Sequence, residues 1–144
     1  MSIIYVDVEK IKKAIREEGR KPWRYLPKDQ SVTVEFASGT PAGTEKYSSD
    51  VTPPEGYCFA IRYFRLITPQ EVEANILVTG MDGEETKLLS ENQSPSSNVL
   101  YDASDWDADF LFVKKFRVYA KATTDTTDVR TVTVKYSGGL VKVT

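Results

Sequence analysis

Along the first sixteen residues Ile4, Val8, Ile11 and Ile15 recur at i, i+4, i+7 and i+11, with Ala14 beside them and Lys, Arg and Glu on the opposite side. That period predicts an amphipathic helix. Asp7 is placed to cap its first turn, Val6 and Ile11 to form a hydrophobic staple, and Gly19 to end it before Pro22, so the helix is expected over residues 7–18. In the following "KPWRYLP", Pro22 and Pro27 bracket Trp23, Tyr25 and Leu26. The prolines favour an extended strap, whose aromatic rings need a surface to lie on.

From residue 31 the period changes to two. "SVTVEF" alternates Val32, Val34 and Phe36 with polar residues, and "EVEANILVT" alternates Val72, Ala74, Ile76 and Val78 with Glu and Asn; both predict half-buried strands. In "GYCFAIRYFRLI", Tyr57, Phe59, Ile61 and Tyr63 share a face, whereas Phe64 and Leu66 fall out of phase, which predicts a bulge or bend near Tyr63. "KFRVYAKA" and "VRTVTVKY" give two more strands, and "SGG" is expected to turn the chain into "LVKV" as a terminal hairpin. Shorter strands are expected at "TKLL", "NVLY" and "FLFV". Residues 37–56 form a long Gly-, Pro- and Ser-rich excursion in which "TEKYSS" is a candidate edge strand. The result is an all-β chain of about eight strands, an antiparallel two-sheet sandwich of jelly-roll type preceded by one amphipathic helix. Residues 1–28 form the arm and strap, and 29–144 the sandwich domain.

Charge sharpens that division. Residues 1–28 carry eight basic residues (Lys10, Lys12, Lys13, Arg16, Arg20, Lys21, Arg24, Lys28) against four acidic ones (Asp7, Glu9, Glu17, Glu18), a net +4. The rest holds 11 of the 19 basic and 17 of the 21 acidic residues, a net −6. A basic arm therefore precedes an acidic body. The four acids within the arm and the net −2 of the chain argue against extensive phosphate contact, so nucleic acid is not an expected partner. An acidic protein surface, this chain's own or a neighbour's, suits the arm better.

Composition removes most catalytic chemistries. Histidine is absent, which excludes Ser/His and Cys/His arrangements and the commonest zinc ligand. There is no phosphate-binding loop, dinucleotide fingerprint or nucleophile elbow. Cys58, the only cysteine, lies within an apolar run and reads as a buried, inert thiol. No enzyme activity and no cofactor are expected. No stretch has the roughly 18 apolar residues of a membrane span. The opening residues place apolar groups before positive charge, the wrong order for a secretory leader. A cytoplasmic or virion location is the expectation.

One stretch invites a chemical reading. "YDASDWDADF" sets Asp102, Asp105, Asp107 and Asp109 around Trp106. Counted from Asp105, position 6 is Phe110 where an EF-hand needs Gly, and position 12 is Phe116 where it needs Glu, so only an irregular calcium site remains open. Trp106 with Asp105 and Asp107 also suits sugar stacking and hydroxyl hydrogen bonds. Against both stands a plain turn between two strands, made by aspartate side chains. "TTDTTD" (residues 123–128) reads as a polar hairpin connection.

The order "VTPPEGYCFAIRYFRLITPQEVEANILVTGMDGEETKLL", then "KKFRVYAKATTDTTDVRTVTVKYSGGLVKV", resembles the small jelly-roll proteins of virus and phage particles that serve as coat, decoration or tail-associated components. The resemblance spans roughly residues 30–144 and rests on strand layout. It implies a structural assembly role, often as a trimer or other symmetric homo-oligomer, with a terminal arm reaching a neighbour. Ile11, Ile15, Arg16, Trp23 and Tyr25 are then the expected partner-binding residues. The layout is also similar to carbohydrate-binding modules and lectins, which would place a ligand at Trp106, Asp105 and Asp107.

Overall fold

A computed structural model describes residues 23–27, 30–106 and 108–143. The helix expected over 7–18, with Ile11, Ile15 and Arg16, lies outside the described residues, as does Asp107. Nine strands follow in chain order: β1 (Trp23–Tyr25), β2 (Gln30–Phe36), β3 (Glu45–Tyr47), β4 (Tyr57–Ile67), β5 (Val72–Gly80), β6 (Glu85–Lys87), β7 (Asn98–Asp102), β8 (Leu111–Ala122) and β9 (Arg130–Lys142). A single turn of 3-10 helix, Ala103–Trp106, follows β7. Every pairing is antiparallel. The all-β expectation holds.

Hydrogen bonding joins all nine strands into one curled sheet where two separate sheets are expected. The reason is a change of neighbour along β4 and β8. β4 pairs with β8 only over Phe59–Ile61 and with β7 over Tyr63–Ile67. β8 leaves β4 after Val113, and further along it meets Val51 and then β3. The ladder thus never breaks, but its halves diverge from this corner and curl around one core. Phe116 of β8 shows the result, its ring lying 5.0 Å from Phe64 of β4 and 4.9 Å from Tyr136 of β9, both edge-on. Val34, Val132 and Val134 join the same core from one side, and Val72, Ala74 and Ile76 from the other.

The bulge expected near Tyr63 is present. Ile61 faces Gly138 and Tyr63 faces Ser137, so Arg62 is the extra residue. This shifts the inward phase of β4 from Phe59 and Ile61 to Phe64 and Leu66. The bulge also decides the fate of "SGG". The expected terminal hairpin does not form, because β9 continues unbroken through Ser137, Gly138 and Gly139 to Lys142. Glycine is needed there for close approach: a Cβ on Gly138 would lie 2.1 Å from the carbonyl oxygen of Ala60. "FLFV" likewise runs on into "KFRVYAKA" as the single strand β8. "TTDTTD" joins β8 to β9, which do not pair with each other, so it is a crossing between the halves of the sheet and not a hairpin.

The crossing clamps the long 37–56 excursion. Buried Thr126 donates its hydroxyl to the Ala37 carbonyl (2.7 Å) and accepts the Thr40 amide (2.8 Å), while Asp125 accepts the Ala42 amide (2.8 Å). The excursion also contains its expected strand, β3.

Candidate interaction surface

The Asp-rich stretch is built from the end of β7. Tyr63 pairs with Asp102, which fixes where the strand stops, and Ala103 then turns fully into the core. Asp102 accepts the Ser104 amide (3.0 Å) and hydroxyl (2.9 Å), while Asp105 accepts the Asp102 amide (3.3 Å). Those bonds from Ser104, with the positive charge of Arg62, hold the Asp102 carboxyl below its ordinary value. Two aspartates are therefore occupied in making the turn itself. Trp106 closes the 3-10 turn and Asp109 is exposed beyond it. Among the described residues, no three acidic, histidine or cysteine side chains come together as a metal site.

The strap is a true strand. Trp23, Arg24 and Tyr25 pair with Val141, Leu140 and Gly139 along the edge of β9, and the Leu26 amide adds a bond to the Gly138 carbonyl (2.9 Å). Leu26 packs against the main core. Tyr25 instead remains 78% exposed. The chain is thereby stapled to the sheet edge while presenting an aromatic ring outward.

Three further features were not singled out from the pattern of the chain. Asn75, fully buried on β5, donates its amide to the Leu89 carbonyl and to Asn92 (both 3.1 Å), and Asn92 donates to Glu73 (3.1 Å). This network pins residues 88–93 over β5 and shapes an open groove of about 600 Å³, lined by Leu88–Ser94 and Tyr101. Its only signal in the sequence is an Asn within the otherwise apolar run "ANILV". A second feature is a charged ladder on the β8 face. Arg117 makes two 3.0 Å bonds to Glu85 and stacks 4.5 Å over Tyr47, while Tyr119 donates to Glu45. The third is a small apolar cluster of Cys58, Ala60, Phe112 and Val141 on the outer face of the sheet. Its signal was present: "YCFAI" and "FLFV" do not alternate, as expected of strands covered on both faces.

No family model matches the chain, and no curated protein matches it. Solved structures do. A Yersinia pseudotuberculosis-derived mitogen aligns at 8% identity and TM-score 0.47, covering 78% of this chain and 87% of that one. Tomato aspermy virus aligns at 7% identity and TM-score 0.37, covering 90% and 93%. A subviral particle of infectious bursal disease virus aligns at 12% identity and TM-score 0.35, covering 87% of this chain and 34% of that one. Virus-particle chains are thus among the structures this chain is similar to, and the similarity is one of strand arrangement.

Proposed function

We propose that the chain is a non-enzymatic structural protein that self-associates, using the strap and an adjoining sheet face as its contact surface. One observation carries this reading: β1 is fixed to the edge of β9 by backbone pairing, yet Tyr25 is 78% exposed. Aromatic side chains held rigidly at a surface lose little entropy on contact and are the commonest anchors of protein interfaces.

The test is the solution mass of the full chain by light scattering after size exclusion, over a range of concentrations. A closed oligomer that loses affinity by about tenfold in Tyr25→Ser, with the melting temperature of the body unchanged, is the expected result. A monomer at every concentration overturns the proposal. In that event, sugar binding abolished by Trp106→Ala would support the carbohydrate-module reading in its place.

A further inference from the structure

The segment after β6 follows the edge of β5, and its hydrogen bonds force a loop. Leu88 donates its amide to the Ile76 carbonyl (2.8 Å), and Gln93 exchanges two backbone bonds with Ala74 (2.7 and 3.1 Å). Those anchors are two positions apart on β5 but five apart on the segment, so residues 89–92 are looped out between them. Asn75, between the anchors, holds the loop from within: its Oδ1 accepts the Leu89 amide (3.3 Å), and its Nδ2 donates to the Leu89 carbonyl and to Asn92. Beyond the loop, buried Thr68 donates its hydroxyl to the Ser94 carbonyl (2.7 Å). One wall of the 600 Å³ groove is thus fixed by buried polar side chains before any ligand arrives.

The groove is polar and carries one charge. Ser90, Asn92, Gln93 and Ser94 bring hydroxyls and carboxamides to it, Tyr101 brings a phenol ring from β7, and Glu91 is the single charged residue of the lining. Among the described residues no lysine or arginine lines it, so an anion finds no counter-charge there. The carboxamides keep donors in reserve. Gln93 Oε1 accepts the Tyr101 hydroxyl (2.8 Å), which orients the side chain, while its Nε2 has no partner among the described residues. Asn92 Nδ2 gives one hydrogen to Glu73 (3.1 Å) and retains the other. Oriented amides beside hydroxyls and an aromatic ring match a sugar, whose hydroxyls both donate and accept and whose C–H face lies well against a ring. The volume falls within the usual range of about 300–1,000 Å³ for small-molecule sites. We propose that this groove binds a neutral saccharide, held by Gln93, Asn92 and Tyr101. The site uses none of Trp106, Asp105 and Asp107, and it goes beyond the assembly reading without resting on it.

The experiment applies the full chain to an array of neutral and sialylated oligosaccharides, then titrates it with the best-bound neutral one. Gln93→Ala should weaken that binding by about tenfold, and Tyr101→Phe, which keeps the ring but frees the Gln93 side chain, by about threefold. Ser90→Trp, at an exposed position, should fill the groove and abolish binding; it is the variant to read if Gln93→Ala loses the wild-type far-UV spectrum. Binding of no oligosaccharide would overturn the proposal, as would a preference for sialylated ones. Sugar binding that survives Gln93→Ala and Ser90→Trp but is lost in Trp106→Ala would also overturn it, because the sugar would then sit at the Asp-rich turn.

Discussion

A methyl group on Gly138 would lie 2.1 Å from the Ala60 carbonyl oxygen and 2.9 Å from both the Arg62 nitrogen and the Ile61 Cα, at a φ of +151°. All three are backbone atoms at the bulge and have little freedom to move aside. Gly138→Ala should therefore cost about 3 kcal/mol or more, or prevent folding, by displacing β4 from β9. Gly39, at φ +82° with nothing within 4 Å of its would-be Cβ, is the control. Gly39→Ala should cost only about 1 kcal/mol, the penalty of a left-handed backbone alone. Urea midpoints of the two variants check the contrast, and equal losses would contradict the steric account. The same glycine explains a misreading. Ser-Gly-Gly between two apolar runs is a turn signal, and the sequence has no local feature distinguishing a glycine that turns from one that lets a neighbouring backbone approach.

Between elements, the most consequential contacts come from short polar side chains. Thr126 joins the β8–β9 crossing to the β2–β3 excursion through bonds to Ala37 and Thr40. Thr126→Val keeps the shape but removes the hydroxyl's bonds to the Ala37 carbonyl and from the Thr40 amide, leaving that amide only its longer 3.3 Å bond to the Ala37 carbonyl, at an expected cost of about 1–2 kcal/mol. Faster hydrogen exchange at amides 39–44 should accompany it; exchange unchanged there would show that the clamp is redundant. At the same crossing Glu71, at φ +67°, accepts from Thr127 and Arg130 and ties in the β4–β5 connection. Much at this scale was legible. Alternation in "SVTVEF" and "VRTVTVKY" located β2 and β9, and the phase change after Ile61 located the bulge. The aspartates at residues 102 and 105 were legible as turn makers, since their bonds are local. Partner choice was not. Whether "TTDTTD" links neighbours or crosses the sheet depends on where β8 and β9 lie, and nothing within six polar residues encodes that.

The whole molecule should show a broad pH plateau with two edges. With no histidine, no side chain of this composition ordinarily titrates between about pH 5.5 and 8. On the acid side, the Glu71 carboxyl is lowered, first by the Thr127 amide, and Asp102 is lowered by Ser104. Their stabilisation is present above the ordinary carboxylate range near pH 4 and is lost as pH falls through their folded values. On the alkaline side, burial raises the Cys58 thiol to about 12 and raises the phenols of Tyr101, Tyr119 and Tyr136. These groups stabilise the fold fully below their unfolded values, and that contribution fades as pH climbs toward the folded ones. A loss on the order of 3 kcal/mol between about pH 9 and 12 is expected. Thermal midpoints from about pH 3 to 12 check this, and a steep slope between about pH 6 and 8 would contradict it.

The central place of β9 has a consequence for biosynthesis. It pairs with β1, β2 and β4, so one strand near the carboxyl end completes the ladders of three strands made earlier. Contacts this distant in sequence close slowly and leave open strand edges until they form. On the ribosome, β2 and β4 must wait for the roughly sixty to a hundred residues that separate them from β9 to be made, at roughly 5–20 residues per second. For those several seconds the nascent chain exposes its apolar strands, and it is then that a chaperone or a neighbouring nascent copy has its opening.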